Sequence, residues 1–196
     1  MKIPNSRRER GFTLVELLVV ISIIAVLAAA GFAAGNAAIQ KARKVTCLAS
    51  CTALESAVNN FFTEYGYMPK DNMTADTKIE TKDVTFLNEL LGINSPTLNN
   101  RAVKFLSVKE GKKKGTTGTG GLIYTGTGST VVGLFDPWGG TYKVMLDGDF
   151  DETIKVNPAG AGATEKTLNG RRVAAWSEGA DGVNGGGKSG DDVITW

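Results

Sequence analysis

Hydrophobic and polar positions divide the chain into three regimes. From Phe12 to Ala34 there are 23 residues whose only charge is Glu16. At about 1.5 Å of rise each, a helix of that length reaches roughly 35 Å, enough to cross the hydrocarbon of a bilayer. The pattern then turns amphipathic without a stop signal: Leu48, Cys51, Leu54, Val58, Phe61 or Phe62, and Tyr65 recur every three or four residues, with Lys41, Arg43, Lys44, Glu55, Asn59 and Glu64 on other faces. The spacing predicts one long α-helix over 12–65, its 12–34 half for a membrane or subunit core and its distal half for its own domain. Gly66 and Pro69 end it, since glycine suits a C-cap and proline cannot continue a helix.

The third regime, 66–196, predicts a small globular domain. Its first part, 70–121, reads as a variable loop holding a short helix, capped by Thr81 or Asp83, burying Phe86, Leu87, Leu90 and Leu91, and closed by Gly92. Within that part 101–108 alternates loosely enough for a strand, and 111–121, rich in Gly, Lys and Thr, reads as a polar surface loop. From 121 to 176, β-branched and aromatic runs at 121–124, 130–135, 141–146, 153–156 and 171–176 predict an antiparallel meander laid on the distal half of the helix. The fold class is α+β.

Charge orients the chain. The first eleven residues hold Lys2, Arg7, Arg8 and Arg10 against Glu9, so the formal +2 of the whole chain leaves the remainder at −1. A cationic head before an apolar block stays cytoplasmic while the chain beyond that block crosses. The near-neutral remainder gives no support to a nucleic-acid partner. Histidine is absent, which removes Ser/His and Cys/His catalysis, and Cys47 and Cys51 are too few for a disulfide framework. Four residues apart on one helical face, with Cβ atoms about 5–6 Å apart, they read as core residues rather than a bridge. No enzymatic constellation stands out. Gly31 and Gly35 form a G-x-x-x-G spacing, which reads equally as a close helix approach or as plain small residues.

Glu16 needs an explanation, because a carboxylate inside an apolar span costs about 2.5–3.5 kcal/mol at mid-membrane. A free α-amine on Phe12, made by cutting after Gly11, would supply its counter-charge at a helix start whose dipole also favours an anion. An ordinary secretory signal with Ala28-Ala29-Ala30 as its cleavage site is the alternative.

Gly11-Phe-Thr-Leu-Val-Glu16, followed by Leu-Leu-Val-Val-Ile21, resembles the class III signal of type IV pilins and type II secretion pseudopilins. The resemblance implies cleavage after Gly11 by a prepilin peptidase that also N-methylates Phe12, with 1–11 as the removed leader and Glu16 as the assembly residue. Asp136-Pro137-Trp138-Gly139 resembles the hallmark turn of the major pseudopilin, and its role is structural, proline presetting the turn and glycine closing it. The tail 177–196 resembles that family's calcium loop.

Two acidic groups bear on calcium. Asp147-Gly-Asp149-Phe-Asp151 begins like an EF-hand loop but has Glu152 at the sixth position and Pro158 at the twelfth, so a hairpin turn with solvated carboxylates is the better reading. In the tail, chemistry alone favours a disordered glycine-rich segment. The resemblance instead implies calcium held by Asp181, Asp191 and Asp192, with carbonyls near Ser177 and Val193. Taken together, it implies a homo-oligomeric pseudopilus subunit working with minor pseudopilins and an inner-membrane assembly platform, its globular domain periplasmic, in protein export across an outer membrane. A type IV pilin for adhesion, motility or DNA uptake is the close rival. A monomeric membrane-tethered calcium-binding domain is the rival of another class.

Overall fold

The computed structural model describes residues 12–115, 117–125, 130–157, 165–184 and 191–196. The chain divides into two compact units, Met1–Ala42 and Arg43–Trp196. Helix α1, Leu14–Tyr65, runs through both, and ends where Gly66, at φ 77°, donates its N–H to Phe62 O at 2.8 Å. In the first unit the described apolar side chains, from Phe12 to Phe32, are exposed.

The second unit is built on the other half of α1. Cys47, Cys51, Leu54, Ala57, Val58 and Phe61 are all fully buried, the stripe that three- and four-residue spacing dictates. Leu48, placed on that stripe by its spacing, is instead exposed, one position off the face. Strand β1, Thr77–Glu80, leads to α2, Val84–Leu91. Asp83 caps α2, accepting from Thr85 N at 3.1 Å and Phe86 N at 3.2 Å, and Gly92 closes it at φ 66°.

The remaining strands are β2 (Lys112–Lys114), β3 (Thr117–Thr119), β4 (Gly121–Thr125), β5 (Thr130–Phe135), β6 (Tyr142–Leu146), β7 (Thr153–Val156), β8 (Lys166–Asn169), β9 (Val173–Ser177) and β10 (Val193–Ile194). They form one four-stranded antiparallel sheet, β1-β6-β9-β10, and three two-stranded ladders, β2-β3, β4-β5 and β7-β8. Alternation gives the main sheet two apolar faces. Tyr142, Val144, Leu146, Val173 and Ala175 join the helix core, while Met145, Ala174 and Trp176 pack with Ile154, Val156 and Leu168 of the β7-β8 hairpin.

A long N-terminal helix followed by small antiparallel sheets is the α+β arrangement that the sequence predicts, with three corrections. The expected meander over 121–176 is not one sheet. Its strands exist, but β6 lies between β9 and β1, a strand from the segment expected to be loop. The stretch 101–108 forms no strand; Phe105 N and Leu106 N both donate to Leu90 O at 2.9 Å, tying it to the end of α2 instead. The polar 111–121 loop contains the β2-β3 ladder.

Glu89, 2% exposed, organises the connection after α2. One of its oxygens accepts from Thr97 N at 2.8 Å, the other from Leu98 N at 3.1 Å and Asn99 N at 2.7 Å. Glu55 fastens the C-terminus, accepting from Ala175 N at 3.2 Å and from the Thr195 hydroxyl, with the Arg171 guanidinium 3.4 Å away. Burial pushes its carboxyl above the usual range, against the pull of Thr195 and Arg171.

Both cysteines are fully buried, and the hydrogen bond that the Cys51 thiol donates to its neighbour Cys47, together with burial, pushes that thiol up. Neither cysteine of the folded chain is therefore expected to take up iodoacetamide at neutral pH, and both are expected to react in urea. Mass spectrometry of the alkylated protein checks this.

Candidate functional site

Three places are candidates: the N-terminus, the Asp136 turn and the C-terminal tail. At the N-terminus the leader 1–11, including Gly11, lies outside the described residues, and Phe12 is exposed just before α1. Thr13 and Glu16 form a reciprocal cap. Glu16 N donates to Thr13 Oγ1 at 3.2 Å, and Glu16 Oε2 accepts from Thr13 N at 2.9 Å and from Thr13 Oγ1 at 2.8 Å. This is the capping box that a threonine followed three positions later by glutamate encodes. The spacing is visible in the sequence, but the membrane cost of Glu16 draws attention away from Thr13.

The second place is the turn between β5 and β6. Asp136 is 1% exposed. Its Oδ1 accepts from Trp138 N at 2.9 Å, Gly139 N at 2.8 Å and Gly140 N at 2.9 Å, while Oδ2 accepts from Ser177 Oγ at 2.6 Å. Pro137 leads the chain into the turn, and Gly139 completes it at φ 104°. A Cβ on Gly140 would stand 2.8 Å from Asp136 Oδ2. Trp138, half-buried, packs against the main core.

Ser177 connects this turn to the third place. Its hydroxyl donates to Asp136 and accepts from Gly179 N at 3.2 Å, so the role the structure gives Ser177 includes a side-chain one. Sequence reasoning assigns only its carbonyl. Beyond Gly179 lie Asp181, exposed, and Asp191 and Asp192, half-buried; the segment 185–190 between them is outside the described residues. One carboxylate oxygen from each of the three lies within 4.8 Å of the other two. Asp191 Oδ2 accepts from Ala180 N and Asp181 N, both at 3.1 Å. Gly179, at φ 69°, allows the two sides to close, since its Cβ would fall 2.5 Å from Asp191 O. Val193, buried, pairs with Ser177 across β9-β10. Trp196 meets Trp176 edge-on, ring centroids 5.8 Å apart. Three carboxylate oxygens at this separation are the kind of donor that a hard cation takes.

The family described as the prokaryotic N-terminal methylation motif matches residues 6–32. Among curated proteins, the type IV major pilin protein PilE of Neisseria gonorrhoeae is 30% identical over 99 residues, 48% of this chain and 59% of the relative. The type IV major pilin protein PilE1 of the same organism is 27% identical over 100 residues, 48% of this chain and 56% of the relative. The chain thus spans about half the length of the curated relatives it matches. No solved structure matches it. The chain carries a prokaryotic N-terminal methylation motif and, over about half its length, is similar to type IV major pilins. Its relatives are structural pilins rather than enzymes.

The Asp136 turn makes a direct prediction. Asp136→Ala strands three amides and a hydroxyl, and is expected to destabilise the folded chain by about 3–5 kcal/mol. Asp136→Asn keeps an acceptor for the amides and is expected to cost about 1–2 kcal/mol. Urea unfolding of the detergent-solubilised protein, followed by tryptophan fluorescence, measures both.

Proposed function

We propose that this chain is the structural subunit of a type II secretion pseudopilus, anchored in the inner membrane by α1 and then polymerised through it. The observation that carries the reading is the continuity from the Asp136 turn through Ser177 to Gly179 and the Asp181, Asp191 and Asp192 carboxylates. It joins the two features that resemble the major pseudopilin into one hydrogen-bonded unit. The exposed apolar surface of residues 12–32, on a helix long and apolar enough to cross a membrane, supports membrane residence first and packing against other copies afterwards. Processing by prepilin peptidase removes 1–11 and methylates Phe12, and minor pseudopilins and an inner-membrane platform initiate assembly.

In this reading calcium binds Asp181, Asp191 and Asp192, with carbonyls near Ser177 and Val193, neutralises the three charges and fixes the loop. A second reading, a type IV pilin, is favoured by the relatives, which are major pilins.

Three measurements test the assembly mechanism and the loop. Mass spectrometry of the processed protein is expected to find N-methyl-Phe12 as the first residue, and Glu16→Gln is expected to leave that processing intact while lowering filament yield at least tenfold. A different mature start, or undiminished filaments, overturns the assembly mechanism. For the loop, EGTA is expected to lower the melting temperature by about 5–10 °C, the scale of a ligand at about a hundred times its Kd. Asp191→Asn is expected to show a smaller response; equal responses of variant and wild type overturn the loop site. Secretion against pilus use is decided by deleting the gene and assaying export and surface pili separately.

A further inference from the structure

The Asp147-Asp149-Asp151 turn, which the sequence reads as solvated, is not solvated at its first member. Asp147 is fully buried, and burial raises its carboxyl above the usual range. Its Oδ2 accepts from Glu152 N at 3.0 Å, but its Oδ1 is buried without a hydrogen-bond partner. The chain treats its other buried acids differently: both oxygens of Glu89 and both of Asp136 accept hydrogen bonds. A buried carboxylate oxygen with no donor is costly, so Asp147 lacks a partner that the protein alone does not supply.

Two more carboxylates meet it there. Asp76, just before β1, and Asp149 each place an oxygen within 4.8 Å of the other two members. Asp76 repeats the pattern of Asp147: Oδ2 accepts from Lys155 N at 3.2 Å while Oδ1 is buried without a partner. No ion pair among the described residues joins any of the three to a lysine or arginine. Arg172, whose carbonyl accepts from Asp147 N, turns its guanidinium to Glu152 and the Phe62 ring instead. Asp76 and Asp149 line an open cleft of about 400 Å³ together with Asp151, Lys155 and Glu165.

We propose that Asp76, Asp147 and Asp149 bind a second calcium ion, independent of the C-terminal loop, which pins the β6-β7 turn to the start of β1. Calcium–oxygen distances of about 2.3–2.6 Å put opposite ligands about 4.6–5.2 Å apart, so one ion spans all three oxygens; magnesium, at about 2.0–2.1 Å, demands a tighter shell. Asp151 and water from the cleft complete the coordination. The ion supplies the charge partner that Asp147 Oδ1 and Asp76 Oδ1 lack. The site escapes the EF-hand pattern because its third carboxylate comes from 71 residues upstream of Asp147 rather than from the twelfth loop position.

The test counts calcium bound per full-length chain in detergent by equilibrium dialysis with radioactive calcium. The Asp191→Asn/Asp192→Asn chain is expected to retain one ion, and adding Asp149→Asn or Asp76→Asn is expected to abolish it. If the C-terminal loop binds nothing, wild type and the double variant both hold one ion and the proposal stands. Retention of that ion in the Asp149→Asn and Asp76→Asn chains, or its absence from the double variant, overturns it. Removing one of three crowded like charges is expected to leave the melting temperature in EGTA unchanged or higher, so that lost binding is not lost folding. Melting below the parent in EGTA would show that the carboxylates support the fold without an ion, and would overturn the proposal.

Discussion

Asp136 holds a negative charge at 1% exposure with no ion pair among the described residues, and this constraint shapes much of the domain around it. A buried carboxylate is tolerable only when donors replace its water. Three amides from the next four residues do so, which forces the backbone into one tight turn and leaves Gly140 no room for a side chain. The fourth donor, Ser177, comes from β9, so the same charge also sets the end of that strand beside the start of β6. From Ser177 the chain passes through Gly179 to the acidic loop. The loop therefore begins at a fixed point whether or not an ion is present.

Glu89, Asp136 and Asp147 are three buried acids answered in two ways. The first two take their donors from nearby backbone, and the loops they organise are fixed by the chain's own amides. Asp147 receives an amide on one oxygen only and faces Asp76 and Asp149, which add like charge rather than relieve it. The loop acids Asp181, Asp191 and Asp192 likewise converge, although Asp191 is partly settled by two amides. The domain thus combines a centre held by its own amides, the distal half of helix α1 with the main sheet and the Asp136 turn, with two acidic clusters.

What the sequence made legible was what is local. The apolar span, the helical stripe through Cys47 to Phe61, the Asp83 cap and the Asp136 turn each depend on residues within a few positions of one another, and periodicity or turn chemistry exposes them. The sheet order was not legible, because Thr77 pairs with Leu146 and nothing near either residue says so. The same separation hid the Asp76 contribution to the Asp147 group and made the turn look solvated. Strand β10 has only two residues, too short for any alternation to register. Thr13 is the exception: its capping partner is three residues away and the signal was complete.

That cap bears on how Glu16 can act in the proposed filament. Both Thr13 donors use Oε2, and a carboxylate offers about four lone-pair sites, so Oε1 remains able to accept from elsewhere. Thr13 keeps its hydroxyl and amide after the leader is removed, so the internal cap survives processing. An amine on Phe12 of the same or a neighbouring copy then adds a charge partner without displacing the cap. The cap does separate work: it holds the carboxylate on the first turn of the helix, which lowers the entropy lost when a neighbour's amine is met. Glutamate at this position is thereby distinguished from aspartate, whose shorter side chain reaches neither as far back to Thr13 nor as far out toward a second helix.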